Sequence, residues 1–228
     1  EQCDIQEDKV VVKEKTGGNV MQNPSDPDAT YDGHKGQGYQ VQLSESCNPE
    51  NEQQLITSAL PQTAVEADSE AFDKVLQDLE LNDLLPEEIL ADTLYCSDEN
   101  VLSAQEQGVE LVGPVQSKSK DDEYEDLSID DFNIDEKTEE VISCPAGHKP
   151  KNSKHDSKTG ITKTTMPLPA CGRCEYFEQC PMQKKTKGYQ LKHTAKDRRI
   201  AARKREAQTN VFKERYRARS TIEGTNSG

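Results

Sequence analysis

The charged residues of this 228-residue chain are segregated along its length, which limits where a folded core can lie. Up to Glu140 the chain has 8 Lys and Arg against 36 Asp and Glu, a net charge of −28. From Val141 onward it has 20 against 7, a net charge of +13. The overall net charge of −15 therefore hides a basic C-terminal third, which we expect to attract phosphate backbones by counterion release.

The apolar content is too low for the chain to be core throughout. Hydrophobic residues make up 32% of the chain, charged residues 31%, and Trp is absent. We expect one domain with an insertion, or two small domains. No run of about 18 apolar residues and no basic-then-apolar N-terminal segment is present, so we expect a cytoplasmic protein without a membrane span. Because the chain starts at Glu1 and stops inside a helical pattern, we expect it to be a fragment.

The first half of the chain has an alternating pattern of strands and helices. Apolar alternation at Tyr39, Val41 and Leu43 predicts a strand that pairs with a second one in an antiparallel hairpin. Apolar residues with helical spacing follow Asp68 and Ser69, which are predicted to form the N-cap of a helix. The predicted elements are strands at 39–43 and 55–60, a helix at 72–79, a strand at 89–91, a helix at 97–107 that stops at Gly108, and a strand at 109–112. This order indicates an α/β fold.

A cluster of cysteines opens the basic third of the chain. The spacing is Cys144-x3-His148, followed by Cys171-x2-Cys174-x5-Cys180. Thiols at these positions can hold one tetrahedral Zn²⁺, and the pattern predicts a structural zinc site with His148 as a substitute ligand. Reduced thiols without a metal are the alternative. An odd total of seven cysteines without a signal peptide argues against a disulfide framework.

Two carboxylates far apart in sequence are candidates for one further site. Asp92 follows the apolar run Ile89–Ala91, where a strand is predicted to end. In the last helical segment, Tyr216, Arg219 and Glu223 are spaced to share one face. Asp92 and Glu223 could therefore converge on a metal. The simpler alternatives are a surface or capping acid at Asp92 and an exposed ion pair between Arg219 and Glu223, which would contribute about 0.3–0.5 kcal/mol.

Four motifs in this order resemble the DDE transposases of bacterial insertion sequences. They are NPSDPDA at 23–29, HKGQGYQVQ at 34–42, ADTLY at 91–95, and Tyr216-x2-Arg219-x3-Glu223. The resemblance extends from about Asn23 to Gly228. It implies a ribonuclease-H-like core and an enzyme that cleaves DNA strands and joins the freed 3′-hydroxyl to target DNA, using Mg²⁺ or Mn²⁺.

The resemblance also implies roles for individual residues. Asp92 would be the second metal-binding acid and Glu223 the third, while the first is expected before Glu1, with Asp32 and Glu45 as weaker stand-ins. Tyr216 and Arg219 would contact DNA phosphates. The expected partner is double-stranded DNA, bound by a possible homodimer at the bacterial nucleoid. With one acid missing, we expect this chain to be inactive alone.

The resulting organisation has five parts. They are a linker or edge segment at 1–30, the first part of the ribonuclease-H-like core at 31–115, an acidic flexible linker at 116–143, the Cys-rich zinc insertion at 144–193, and the basic helical part of the core at 194–228. Apolar residues at 127–134 alternate enough for a brief strand within the acidic linker.

Two other functions fit parts of the pattern. One is a non-catalytic, zinc-stabilised DNA-binding module or a decayed transposase remnant, and the other is a mostly disordered acidic adaptor. The basic run at 198–205 can also be interpreted as a solvated helix face.

Overall fold

The computed structural model describes residues 3–6, 9–13, 18, 20–21, 23–116, 127–186 and 188–227. The chain divides into two compact units, Glu1–Gly113 with Tyr216–Gly228 as unit 1 and Pro114–Arg215 as unit 2. The acidic run predicted at 121–126 and Gly17 of the predicted N-terminal linker lie outside the described residues. Within the described ranges, no helix has the length and apolar character needed to cross a membrane. The predicted domain boundaries stay predictions; along the chain, the two units divide after Gly113 and after Arg215.

Unit 1 contains an exposed two-stranded pair and a three-stranded antiparallel sheet. The strands are β1 (Cys3–Gln6), β2 (Lys9–Val12), β3 (Thr30–Asp32), β4 (Gly36–Glu45) and β5 (Ile56–Thr63). The predicted hairpin is confirmed, since β4 and β5 pair antiparallel with Tyr39 opposite Thr63. Its polar face is the buried one, because Gln42 is 6% exposed whereas Tyr39 and Val41 are 55% and 52% exposed.

The rest of unit 1 is a strand–helix–strand arrangement behind a first helix. It consists of α1 (Asp68–Leu81), β6 (Glu88–Leu90), α2 (Asp98–Glu106) and β7 (Glu110–Val112). The strands β6 and β7 are parallel, as a helical crossover through α2 allows. Apolar residues of both helices and of β7 form the core of this unit: Phe72, Leu76, Val101, Ala104, Val109 and Leu111. The predicted order of strands and helices, and hence a mixed α/β fold, is confirmed.

The predicted N-cap of α1 at Asp68 and Ser69 is wrong. The cap position is Ala67, which has no side-chain cap hydrogen bond, and Asp68 is already the first helical residue. The Asp68 carboxylate instead accepts hydrogen bonds from Lys35 Nζ at 2.9 Å and Gln42 Nε2 at 3.2 Å. By contrast, Ser97 caps α2 by accepting from Asn100 N at 3.1 Å.

Unit 2 is built on a four-stranded antiparallel sheet. Its elements are β8 (Asn133–Ile134), β9 (Val141–Ser143), β10 (Asn152–Asp156), β11 (Ile161–Met166), α3 (Leu168–Cys171), β12 (Gln183–Lys185), β13 (Gly188–His193) and α4 (Ala195–Glu206). The sheet order is β10–β11–β13–β12, and β8 pairs separately with β9. The predicted helix from Thr194 is confirmed, with Thr194 and Asp197 forming a capping box.

Part of the segment predicted as an acidic linker is folded into unit 2. Ile129 and Phe132 are buried in its core together with Met166. In place of the brief strand predicted across 127–134, a 3₁₀ turn at Ile129–Asp131 precedes β8. Burial of these two large apolar side chains stabilises the folded segment. The many acidic residues around them make this hard to see in the sequence.

Acidic side chains of this segment form ion pairs with the basic helix α4. Arg205 lies 2.7 Å from Asp130 and 2.7 Å from Asp131, and Arg198 lies 2.5 Å from Glu139. The opposite charges of the two halves of the sequence therefore meet inside unit 2.

The C-terminal segment is helical but not one continuous α-helix. It consists of α5 (Asn210–Tyr216), a 3₁₀ turn (Arg217–Arg219) and α6 (Ser220–Ser227). In a 3₁₀ turn, side chains three residues apart lie one above the other. Tyr216 and Arg219 have that separation.

Candidate functional site

Asp92 lies just beyond the end of β6, as predicted. The pairing with β7 continues to Ala91, whose N–H donates to Val112 O at 2.9 Å. The chain then turns, with Tyr95 N donating to Asp92 O at 3.0 Å and Thr93 N donating to the Asp92 carboxylate at 2.6 Å. The side chain of Asp92 remains 51% exposed, so its carboxylate is accessible at the strand exit.

Tyr216 fixes the C-terminal segment beside this strand exit. Its hydroxyl donates a hydrogen bond to the carbonyl of Ala91 at 3.1 Å. Burial raises the pKa of Tyr216, so the hydroxyl stays protonated and available as a donor at neutral pH. This contact joins the residue before Asp92 to the C-terminal segment that carries Glu223.

Arg219 contacts both acids. Its Nη2 lies 3.5 Å from Asp92 Oδ2, and its Nη1 donates to Glu223 Oε1 at 2.9 Å. Its guanidinium carbon is 5.9 Å from the centre of the Tyr216 ring, within range of a cation–π contact. All four residues singled out in the sequence, Asp92, Tyr216, Arg219 and Glu223, are thus brought together in unit 1.

The group between the two carboxylates is a guanidinium. A two-ion site of the kind that the resemblance implies needs at least three acids. Across the described parts of the chain, no three His, Cys, Asp or Glu side chains converge closely enough to hold a metal ion. Asp92 and Glu223 are two donors only, so the residues in place do not fit a complete two-ion site.

The two stand-ins for a further acid have other contacts. The Asp32 carboxylate accepts from the backbone N–H groups of His34 at 2.8 Å and Lys35 at 2.9 Å. These hydrogen bonds lower the pKa of Asp32 and explain it as a turn residue. Glu45 accepts a hydrogen bond from the Thr225 hydroxyl, two residues after Glu223.

A buried polar network that sequence reasoning missed lies behind Asp92. The Tyr95 hydroxyl donates to Gln42 Oε1, and Gln42 Nε2 donates to both Gln62 and Asp68. Burial, with the charges of Asp68 and Asp92, raises the pKa of Tyr95 to about 12. The network holds the Asp92–Tyr95 turn against β4. Tyr95 in the ADTLY motif could have pointed to this network. Its partner Gln42 is 53 residues away, so local sequence patterns do not predict the contact.

The four clustered cysteines lie around one small cavity in unit 2. Cys144, Cys171, Cys174 and Cys180 line it with His148 and with apolar side chains that include Met166, Met182 and Phe177. None of the seven cysteines, all within the described part of the chain, forms a disulfide. Burial, together with the charges of the neighbouring thiols of Cys180, Cys144 and Cys174, raises the pKa of Cys171 to about 11.

Comparison with known families bears on the last of the four motifs. Residues 143–228 match a family described as "Transposase DDE domain". The matched range contains the cysteine cluster, the basic helix α4 and the segment with Tyr216, Arg219 and Glu223, whereas Asp92 lies outside it. The resemblance to DDE transposases is therefore confirmed over residues 143–228, and its extension to the three earlier motifs stays a prediction. No curated protein and no solved structure matches the chain.

Proposed function

We propose that this chain is part of an insertion-sequence transposase that cleaves DNA strands and transfers the freed 3′-hydroxyl to target DNA. The observation that carries the proposal is the meeting of Tyr216, Arg219 and Glu223, inside the matched range, with Asp92 at a strand exit. These two segments are distant in sequence, and each carries one of the motifs. If residues 91–95 were only a surface turn, or the C-terminal segment only a surface helix, the two would have no reason to lie together.

The residues have separate roles in this proposal. Asp92 and Glu223 are the catalytic carboxylates and the ligands for Mg²⁺ or Mn²⁺, the kind of divalent metal that DDE transposases generally use. Since they do not complete a two-ion site, a further carboxylate is required for the chemistry. Arg219 contacts DNA phosphates, because a guanidinium can donate two parallel hydrogen bonds to one phosphate. Tyr216 is the second proposed DNA contact, and its bond to Ala91 orients the ring beneath Arg219.

A ribonuclease-H-like core is the proposed fold of unit 1. Its support is the antiparallel β3–β4–β5 sheet followed by a parallel β6–β7 pair with an intervening helix. The sheet and the pair share no strand among the described residues, so the proposal requires a further strand between them.

The wider setting follows from the same proposal. The partner is double-stranded DNA, both the ends of the element and the target, bound by a homodimer in the cytoplasm at the bacterial nucleoid. A structural Zn²⁺ in the cysteine cluster is also proposed.

The proposal is tested by strand cleavage with protein expressed from the full reading frame. Supercoiled plasmid carrying the ends of the element is incubated with Mg²⁺ or Mn²⁺, and nicked and linear products are measured. Asp92→Asn and Glu223→Gln should each abolish cleavage while retaining DNA binding. Glu214→Gln is the matched control, since Glu214 is an exposed acid on the preceding helix. Cleavage that persists in both variants would reject the assigned roles.

The alternative function is a non-catalytic, zinc-stabilised DNA-binding module or a decayed transposase remnant. The ion pairs of Arg219 with Asp92 and Glu223 do not distinguish it from the first proposal. In that case the wild type would bind DNA without divalent metal, and would not cleave it under any of the conditions above.

A further inference from the structure

We propose that Cys144, Cys171, Cys174 and Cys180 bind a single Zn²⁺ as four thiolates, and that His148 supports Cys144 without binding the metal. This inference deepens the zinc part of the proposed function and is independent of strand cleavage. It assigns the ligand set, the role of His148 and the part of the protein that the ion stabilises.

Three separate loops bring the four thiols to the same cavity. Cys144 begins the turn between β9 and β10, Cys171 and Cys174 lie at the end of α3 and just after it, and Cys180 precedes β12. The four thiols come from chain segments up to 36 residues apart, and packing of Cys144, Cys171 and Cys180 against the core does not account for the presence of Cys174 beside them. A shared ligand accounts for it.

The local backbone has the tight turns that thiolate ligands need. The Cys144 turn closes with Gly147 N donating to Cys144 O at 2.8 Å and Cys144 N donating to His148 O at 2.9 Å. Gly147 has a φ of 78°, which a side chain would disfavour. A second turn closes with Cys174 N donating to Cys171 O at 3.2 Å. Both turns place their thiols beside the same cavity.

The imidazole of His148 lies next to the thiol of Cys144. Its Nδ1 lies 3.8 Å from Cys144 Sγ, within hydrogen-bonding range for sulfur. An imidazole N–H in that position can donate to a thiolate and offset part of the negative charge of a four-thiolate zinc centre. If His148 were a ligand in place of one thiol, the displaced cysteine would be left as a reduced thiol among Met166, Met182 and Phe177.

The sulfur atoms must move closer together to hold the ion. No group of three or more potential ligands is close enough to do so among the described residues. A tetrahedral zinc with sulfur at about 2.3 Å needs sulfur atoms about 3.8 Å apart. Because the thiols lie on short turns, rotation about the Cα–Cβ bonds and small loop movements can supply this, so binding is coupled to ordering of the loops.

The cluster is well placed to stabilise the whole of unit 2. Cys144, Cys171 and Cys180 pack directly against the small core that contains Phe132, Met166 and Tyr189. Ala201 of the basic helix α4 packs against the same core. Zinc binding should therefore stabilise the contact of α4 with the sheet, and loss of zinc should loosen it.

The first test is the metal content of the purified 228-residue chain. We expect one zinc per chain by elemental analysis, and a Co²⁺-substituted protein with intense sulfur-to-cobalt charge-transfer absorption. Cys→Ser substitution at each of the four positions should remove the ion, whereas Cys47→Ser, the control, should retain it. If the wild type holds neither zinc nor Co²⁺, the proposal is overturned whether or not the variants fold.

The second test separates four thiolates from three thiolates and one imidazole. His148→Ala should retain one zinc per chain with about 10- to 100-fold weaker affinity, as for loss of a supporting hydrogen bond. The visible Co²⁺ bands of this variant should keep their wild-type positions. A shift of those bands, or loss of the ion, would assign His148 as a ligand and reject the four-thiolate set. Neither measurement uses DNA, so failure here leaves the transposase proposal unaffected.

Discussion

The hydroxyl of Tyr216 donates a hydrogen bond to the carbonyl of Ala91 at 3.1 Å, across a sequence separation of 125 residues. This contact positions the C-terminal motif, because Ala91 precedes Asp92 and Arg219 stacks on the Tyr216 ring. The meeting of Asp92 with Arg219 and Glu223 therefore depends on a backbone carbonyl at the end of β6 as well as on charge.

Tyr216→Phe tests the structural importance of this contact. The substitution keeps the aromatic ring but leaves the Ala91 carbonyl without this donor, so we expect the free energy of unfolding to fall by about 0.5–1.5 kcal/mol. Urea unfolding of the purified chain measures the change. Tyr31→Phe is the control, since Tyr31 is 47% exposed and should change stability by less than about 0.5 kcal/mol. Equal stabilities of Tyr216→Phe and wild type would mean that the hydrogen bond does not hold the segment.

Arg219→Gln tests whether the guanidinium competes with a metal ion for the two acids. Removing the charge frees Asp92 and Glu223 from exposed ion pairs worth about 0.2–1 kcal/mol. We expect the affinity for Mn²⁺, measured by electron paramagnetic resonance, to rise about 1.4- to 5-fold, the ratio equivalent to that energy. Affinity for DNA should fall.

The matched control for this prediction is Arg217→Gln. Arg217 is an exposed arginine on the same 3₁₀ turn, so its loss tests the general effect of one positive charge. If both variants bind Mn²⁺ equally well, local competition by Arg219 is excluded.

The sequence predicted elements well where the evidence for them is local. Thr194 and Asp197 form the expected capping box at the start of α4, and Gly108 follows α2 with a φ of 75°. The candidate acids were found for the same reason. Asp92 follows an apolar strand, and Glu223 lies four residues after Arg219, the spacing that puts two residues on one face of a helix. The cluster spacing of the cysteines likewise identified residues that line one cavity.

The parts that the sequence did not predict depend on distant contacts. Alternation at Tyr39 and Val41 identified a strand, but the buried face of that strand carries Gln42, whose partners are Tyr95 and Asp68. Asp68 was interpreted as a helix cap because its contact with Lys35 spans 33 residues. The ion pairs of Arg205 with Asp130 and Asp131 also could not be read from local charge patterns.

His193 should make unit 2 less stable in mild acid. It is 2% exposed, and neither ring nitrogen has a hydrogen-bond partner among the described residues. Burial lowers its pKa below 6.5, and Arg198 lowers it further, while Glu139 and Asp197 act in the opposite direction. The unfolded chain therefore takes up a proton at higher pH than the folded chain. Stability should be constant above about pH 6.5 and decrease as the pH falls below it.

Urea unfolding between pH 8 and pH 5 measures this dependence, in a range where most carboxylates stay ionised. His193→Met replaces the imidazole with an apolar side chain that does not titrate, so it should flatten the dependence of the free energy of unfolding on pH. His34→Gln, at an exposed position, should leave that dependence unchanged. A slope in His193→Met as steep as in the wild type would assign the effect to another group.

Asp130 and Asp131 should limit the binding of DNA by α4. Both carboxylates lie 2.7 Å from Arg205, so part of the positive charge of the helix is neutralised within unit 2. Replacing both acids with asparagine makes Arg205 available to phosphate. We expect tighter non-specific binding to duplex DNA and a steeper dependence of log affinity on log salt, by about 0.9 for each added phosphate contact. Fluorescence anisotropy over a range of salt concentrations gives both quantities. Glu136→Gln combined with Glu178→Gln, at two exposed acids, is the control for the loss of two negative charges. If the double variant and the control have the same salt slope, α4 does not use Arg205 to bind phosphate.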